Sequence, residues 1–401
     1  MATYIIGYTL IALVVIFVVF VELVSHKVIF TKSPKIQMIF GHPLLRYSIR
    51  RFGSAIISIL LAITATFFLI RFKVDANGGE SFCSTIVSTW DKLKNQPAIR
   101  LDLCNKMKAN LGLTDNWFKD LFTYFYNILP FPKTICLSYF DIDTNAMSFS
   151  DCRNTIMYLG RAFFVAGSNG EYVTDLLFSK MGVSFQVGII GSLIEVGLGY
   201  PMGILMARHK DGVFDRIGNA YIISIDAIPG VAYYYIWMIL LCTLLGLPSS
   251  YVSNPADPMH FVSILPAALT MGFTGMAGIA LWVRRYMLDE FNSDYVKFAR
   301  AKGLSERRIL GVHVLRNAIV PLVRSIPAAI LGALLGTFFL EKIYGIPGIG
   351  ILAYQVETAS KLDVYVLQGI IIISALISVV SYLLGDIVTA IIDPRISFSD
   401  D

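Results

Sequence analysis

Three carboxylates stand inside otherwise apolar runs of the sequence: Glu195 in GSLIEVGLGYP, Asp226 in ISIDAIPG and Asp386 in LLGDIVTAIIDPR. At a bilayer centre an ionisable side chain costs about 3 kcal/mol or more. It is retained where it hydrogen-bonds a neighbouring helix or where it passes protons or ions along a pathway. Glu195 lies nearest the middle of its run. Asp226 precedes Pro229 by three residues, and a proline frees a backbone carbonyl that an interior helix break can use. Asp386 lies near the end of the last run, where a paired or solvated carboxylate is ordinary. For each of the three, a structural hydrogen bond and a place on a pathway both stand as readings.

Other reactive residue types are sparse. Cys83, Cys104, Cys136 and Cys152 fall in one long polar connection, and four cysteines in an oxidising compartment allow two disulfides in three pairings. Unpaired buried thiols are the other reading. Cys242 sits alone in an apolar run and reads as packing. The five histidines (26, 42, 209, 260 and 313) are scattered and form no His-Glu-x-x-His pair, so no metal centre is expected. No G-x-x-x-x-G-K-[ST] segment offers a phosphate loop for ATP, and no G-x-S-x-G offers a nucleophile elbow. GIPGIG at 345–350 lacks the spacing of a dinucleotide fingerprint and reads as a tight turn after an apolar helix. Enzymatic chemistry on this polypeptide is not expected, nor a cofactor of its own.

The elements that must position these groups are membrane spans. The 401 residues are 56% hydrophobic and 15% charged, with a mean hydropathy of +0.66, a balance that suits a polytopic membrane protein. A helical span needs roughly 20 apolar residues. Seven runs qualify: Tyr4–Val21, Phe52–Ile70, Val183–Met206, Ile217–Leu247 (kinked at Pro229 and Gly230), Phe261–Val283, Ser325–Leu340 extended by Ile319–Val323, and Val364–Gly385. The first lacks a positive n-region and is followed by Glu22, His26, Lys27, Lys32 and Lys35, so it reads as a retained anchor.

Short-loop Lys and Arg set the orientation. Segment 24–51 carries six of them, ARHKDGVFDR carries three, and 248–260 carries none. Between Arg284 and Arg324 nine Lys/Arg face four acids, and that excess equals the whole chain's +5. The charge belongs to one loop and not to a nucleic-acid groove. Alternation then places the N-terminus outside and the C-terminus in the cytoplasm of a multi-pass cell-membrane protein. The expected organisation is an extra N-terminal helix (1–24), a cytoplasmic basic segment (25–51), a first core helix (52–71), an extracellular domain (72–182), a helical core (183–395) with a cytoplasmic loop at 284–324, and a tail (396–401). The aromatics Trp90, Trp117, Phe118, Tyr124 and Tyr126 favour a folded external domain over a linker.

The loop stretch YVKFARAKGLSERRILGVHVLRN (295–317) reads as a short helix, a turn and a second helix. Ala299 and Ala301 give a small surface for close approach, and Gly303 supplies the left-handed residue that ends a helix. Ser305 suits an N-cap and Glu306 a first turn, with Arg307 and Arg308 projecting beyond them. By composition alone it would be an interfacial loop held on anionic headgroups.

DYVKFARAKGLSERRILGVHVLRNAIVPLV (294–323) also resembles the cytoplasmic EAA loop of ABC importer permeases, in its oligopeptide and dipeptide form. Against the general pattern E-A-A, Gly, I-x-L-P, only Ala299, Gly303 and Leu315 match. The peptide-permease version is matched from Ala299 to Pro321. Further blocks resemble the same family in the same order: HPLLRYSIRRFGSAIISILLAITATFFLIRF (42–72), LIEVGLGYPMGILMARHKDGVFDR (193–216), ILPAALTMGF (264–273), GTFFLEKIYGIPGIG (336–350, with Tyr344 where the family pattern has Phe) and LLGDIVTAIIDPRI (383–396). The order is similar to the OppB-type subunit.

That resemblance implies an all-α type I ABC importer permease core of six helices. To this are added the N-terminal helix and an unusually long external segment between the second and third helices. It implies half of a translocation pathway for oligopeptides or dipeptides, completed by a second, OppC-like permease subunit. Two OppD/OppF-like ATPases would hold ATP and Mg, and an external peptide-binding protein would deliver the ligand. It implies that Ala299, Arg300, Ala301, Lys302, Gly303, Leu304, Ser305 and Glu306 form the coupling helix and turn, with Ala299, Ala301 and Gly303 at the ATPase contact. Nickel, heme and other small-solute permeases share these motifs. A proton-coupled carrier acting alone, using Glu195 or Asp226, is the competing class; a membrane scaffold without flux is a third. Deletion of about 85–170 is expected to abolish docking of the binding protein while subunit assembly survives, as read by pull-down from detergent extracts; retained docking would give that segment another role.

Overall fold

The computed structural model describes residues 43–75, 97–110, 114, 116–141, 146–162, 171–335, 338–358 and 363–392. The expected first span, Cys83 and the C-terminal tail lie outside these residues. Two compact units divide the described chain, one within residues 43–178 and 355–379, the other within residues 179–354 and 380–392.

In the first unit, α1 (Pro43–Asp75) is followed by α2 (Pro97–Asn110), α3 (Trp117–Ile128) and an antiparallel hairpin of β1 (Lys133–Asp141) and β2 (Ala146–Thr155). The hairpin pairs Lys133 with Thr155 and Asp141 with Ala146, with a bulge after Cys136. Strands were not anticipated in this segment. The buried Arg71 of α1 donates to Asp120 of α3 at 2.9 Å and to the carbonyl of Thr114. Asp120 also accepts from the Thr114 amide and hydroxyl, each at 2.6 Å, so both oxygens of the buried carboxylate are engaged. Phe67 against Tyr124 and Phe72 against Trp117, with centroids 5.5 and 5.7 Å apart, continue this α1–α3 seam. Cys104 and Cys152 are each disulfide-bonded, and Cys136 stands opposite Cys152 in the ladder.

The second unit holds most of α4 (Val173–Arg208), then α5 (Val213–Ala227), α6 (Gly230–Leu245), α7 (Met259–Phe291), α8 (Asp294–Ala301), α9 (Glu306–Ala318), α10 (Val320–Leu335), α11 (Phe338–Tyr344) and the start of α12 (Ile349–Thr358). It also takes the last part of α13 (Val364–Ile392). Among the described residues α4, α7 and Val364–Thr389 of α13 are long and apolar enough to cross a membrane, and five spans result if α5–α6 and α9–α10 each count as one. The apolar stretch of α1, Gly53–Phe68, is shorter. Large apolar side chains such as Ile239, Leu244, Leu245 and Ile387 face outward, as a lipid-facing surface requires.

One expected span is corrected. Ile217–Leu247 is not one kinked helix: α5 and α6 are bent by 118° at their break, because Pro229 lacks an N–H and Ile228 is extended (φ −94°, ψ 132°). A second bend, of 45°, falls between Ala318 and Val320, where the expected sixth run begins.

Within the second unit α4 packs on α7 through glycines. A Cβ on Gly203 would stand 2.6 Å from Val283 Cβ and 2.7 Å from the Ala280 carbonyl; one on Gly191 would stand 2.8 Å from Met271. From α7, a Cβ on Gly275 would meet the Glu195 carboxyl at 2.4 Å. Lipid tails are as apolar as leucine, so such small residues hold membrane helices together by letting backbones approach.

A buried polar knot fixes α11 and α12 to α4. Glu341 is 1% exposed, accepts from Ser184 Oγ at 2.7 Å, and receives the amides of Gly350 (2.7 Å) and Ile351 (3.1 Å) at the start of α12. Gly348 is required there, since a Cβ would stand 2.4 Å from both Glu341 Oε2 and Ser184 Oγ. Tyr344, fully buried, places its hydroxyl 2.8 Å from Thr270 of α7, which gives a partner to the oxygen that phenylalanine would lack.

Gly203→Ala is expected to destabilise the protein by about 1–3 kcal/mol through overpacking against backbone. Gly197→Ala, on the same helix with nothing within 4 Å, should be neutral or slightly stabilising; thermal unfolding in detergent compares the two.

Candidate functional site

The basic loop grows directly out of α7. After Phe291 the chain turns at Asn292 and Ser293, whose hydroxyl donates back to the Glu290 carbonyl at 2.6 Å, and α8 begins. Its exit is a complete Schellman motif. Gly303, at φ +74°, donates to Arg300 O at 2.9 Å, and Leu304 donates to Ala299 O at 3.2 Å. Leu304 then packs on the core below. Ser305 begins α9 with extended dihedrals (φ −66°, ψ 144°), but its side chain makes no capping hydrogen bond. Glu306 instead reaches across the turn to Arg300, at 2.9 and 3.4 Å, an exposed pair of modest worth.

Beneath the loop lies a buried apolar cluster. Val296 and Ala299 of α8 join Ile309, Val314 and Ala318 of α9, Val283 and Met287 of α7 and Ala207 of α4. Ala299 is only 6% exposed, so it faces this core and not a contact surface as the sequence suggested. A helix of eight residues shows a partner one side only, and its 3.6-residue period turns Ala299 inward together with Val296. The outer face carries Phe298 (61% exposed), Ala301, Lys302 and Gly303, with the Lys302 ammonium 4.5 Å above the Phe298 ring. Residues Ile309–Val314 of α9 are π-helical, with Leu315 N donating to Leu310 O, which lets both Ile309 and Val314 turn inward.

Polar braces set the loop's attitude. Tyr295 donates to Glu290 and lies 3.3 Å from the His313 carbonyl, while Asn317 Nδ2 donates to its hydroxyl at 2.9 Å. One phenol therefore joins the end of α7, α8 and α9. Arg284 of α7 grips Asp215 of α5 with two bonds, Nε at 2.6 Å and Nη2 at 2.8 Å, and Asp215 also accepts from Asp211 N and Asn219 Nδ2. Sequence reading had Arg284 only as an orienting charge and missed Tyr295, Asn317 and Asp215. Beside local partners four or five residues away, each makes a pairing across 18 to 69 residues that no local pattern carries.

The three intramembrane carboxylates have separate surroundings. Asp386 of α13 is 6% exposed and pairs with Arg324 at 3.0 Å, and a Cβ on Gly385 would stand 2.5 Å from the Arg324 carbonyl. The Gly-Asp of LLGD thus admits one backbone and binds its side chain. Glu195 lies over Gly275 with no hydrogen bond or ion pair among the described residues. Asp226 is exposed near the end of α5, beside the 118° break. Cys242 is a free, half-buried thiol on α6.

Spanning helices that end in a basic helix–turn–helix, anchored on a core drawn from several of those helices, define a polytopic membrane protein. Residues 199–398, which include the whole loop and its braces, match the family described as "Binding-protein-dependent transport system inner membrane component". The chain belongs to that family. It is 35% identical over 271 residues to the oligopeptide transport system permease protein AmiC of Streptococcus pneumoniae, covering 67% of this chain and 52% of AmiC. It is 31% identical over 241 residues to the oligopeptide transport system permease protein AppB of Bacillus subtilis, covering 57% of this chain and 73% of AppB. The dipeptide transport system permease protein DppB of Lactococcus lactis is 26% identical over 353 residues, covering 88% of this chain and 99% of DppB. The chain spans about half the length (52%) of the AmiC proteins it matches.

Asp215→Ala is expected to cost about 3–5 kcal/mol, since it strands the Arg284 guanidinium. Combining it with Arg284→Met should recover part of the loss, as a double-mutant cycle on thermal stability would measure.

Proposed function

We propose that this chain is the transmembrane permease subunit of an ABC importer, forming half of a pathway for oligopeptides or dipeptides. In this reading a second permease subunit completes the pathway, an external peptide-binding protein delivers the ligand, and two cytoplasmic ATPases hold ATP and Mg. The N-terminus lies outside and the C-terminus in the cytoplasm. The peptide class is supported by the relatives, whose names are those of oligopeptide and dipeptide permeases.

The observation that carries the coupling role is the construction of α8. Its outer face is an exposed apolar knob, Phe298, beside Ala301, Lys302 and the Gly303 turn. Its inner face, Val296 and Ala299, is locked into the core shared with α4, α7 and α9. A push on the outer face has no slack to absorb it, because the Schellman turn closes one end and Tyr295 ties the other. It passes through Met287 and Val283 into α7, and through Ala207 into α4. The Asp215–Arg284 and Arg324–Asp386 pairs carry the displacement to α5 and α13. Residues 299–306 are thereby divided: Ala299 and Leu304 anchor, Arg300 and Glu306 brace the turn, and Ala301, Lys302 and Gly303 with Phe298 meet the ATPase.

Glu195, without a hydrogen bond or ion pair among the described residues, favours one second reading, a proton-coupled carrier. Reconstitution in proteoliposomes with the partner permease, the ATPases and the binding protein separates the two. Phe298→Ala should lower peptide uptake about 30-fold, as loss of a central apolar anchor of about 2 kcal/mol implies. Gly303→Val should uncouple hydrolysis from uptake while co-purification of subunits persists. Unchanged uptake in both variants refutes the coupling role; uptake without ATPases that an ionophore collapses and Glu195→Gln abolishes establishes the carrier.

A further inference from the structure

Beside α8 the second unit contains a cavity of about 600 Å³ that the coupling role leaves unused. Its floor is apolar, from Ala207, Leu288, Phe291 and Leu310. Around it stand four cations, Arg208, Lys210, Arg300 and Arg307, against a single carboxylate, Glu306. That carboxylate is already engaged by Arg300 at 2.9 Å. Arg208, Lys210 and Arg307 have no hydrogen bond or ion pair among the described residues. These three exposed cations converge on one concavity, and an anion seated among them would satisfy their donors together.

Position identifies the anion's class. Arg208 is the last residue of α4 and Phe291 the last of α7, both helices long enough to cross a membrane. The apolar run of α4 ends at Met206, two residues before Arg208, so the Arg208–Lys210 side of the cavity lies at the end of that run, the level at which basic pockets between helices take lipid headgroups. Directly after Lys210, α5 exposes Val213, Phe214 and Ile217, an apolar surface that acyl chains can cover. The guanidinium forks of Arg208 and Arg307 match phosphate oxygens in pairs, and the apolar floor suits the glycerol that follows a phosphodiester.

We propose that this cavity binds a phosphate-bearing anion, the headgroup of an acidic membrane phospholipid, held by Arg208, Lys210 and Arg307. Such a lipid would lie against Arg300 and Leu310 and so stiffen the joint between α8 and α9. The site does not depend on which solute is carried or on any ATPase being bound.

The full-length chain in phosphatidylcholine nanodiscs tests it, with a photoreactive phosphatidylglycerol or a photoreactive phosphatidylcholine as probe and adducts mapped by peptide. Phosphatidylglycerol should label segments 205–212 and 288–311 in several-fold excess over phosphatidylcholine. The combined change R208Q/K210Q/R307Q should cut that excess roughly tenfold, the effect of losing charge-assisted contacts. If gel filtration shows that this variant does not fold, Lys210→Gln alone must lower the excess. Labelling that persists in millimolar inorganic phosphate assigns the site to lipid. Suppression by inorganic phosphate, with the cation dependence kept, upholds the phosphate site and assigns it to a soluble anion. Equal labelling by both lipids without a phosphate effect, or an excess unchanged in the variants, overturns the proposal.

Discussion

Between α4 and α7 the backbones come too close for side chains, and much of the second unit depends on that approach. In a bilayer two helices gain little by hiding apolar surface from each other, so dense contact must replace the hydrophobic effect. Gly191 against Met271 and Gly203 against Val283 supply it along some three turns of helix. The seam ends where Ala207 and Met287 enter the cluster beneath α8. The two helices joined by this close seam are thus the two on which the basic loop rests.

Close apolar packing fixes distance better than it fixes direction. Direction comes from buried polar pairs set where the chain changes course. Glu341 with Ser184 fixes the start of α12, Asp215 with Arg284 joins α5 to α7, and Asp386 with Arg324 joins α13 to the start of α10. Each carboxylate is 6% exposed or less. Where the partner is shielded too, as Ser184 and Arg284 are, such a carboxylate is destabilising unless its geometry is met, so those two pairs penalise any other arrangement by several kcal/mol, while the half-exposed Arg324 gives Asp386 a weaker hold. Removing one partner is costly for the same reason that the pair is specific.

What the sequence made legible was local. Gly303 ends α8 in the left-handed conformation that its place after ARAK required, and the spans of α4, α7 and α13 follow from apolar length alone. What it hid was long-range or non-helical. Ala299 looked like a contact because a small residue reads the same whether it admits a partner or its own core. Ser305 had the right type for a cap, yet Glu306 found a better partner in Arg300. The π-helical residues Ile309–Val314 carry an ordinary helical composition, so their register shift answers only to the burial of Ile309 and Val314. The glycine of GIPGIG that matters for packing, Gly348, is set by a carboxylate seven residues earlier and a serine on another helix.

The loop's charge shows the same distinction between count and placement. Membrane orientation responds to the number of Lys and Arg, and for that purpose nine between 284 and 324 are interchangeable. The fold does not treat them so. Arg284, Lys297, Arg300 and Arg324 are held in ion pairs, while Arg285 and Lys302 lie over the rings of Trp282 and Phe298. The cations left outside these contacts are Arg307, Arg308 and Arg316. Arg307 turns toward the same cavity as Arg208 and Lys210, from a different loop. A diffuse basic patch would spread its free charges over the exposed face of α8, but here that face offers Phe298, Ala301 and Gly303 and keeps Lys302 folded over the phenylalanine ring. The loop separates an apolar surface suited to another protein from a basic concavity suited to an anion, and it does so within one helix–turn–helix.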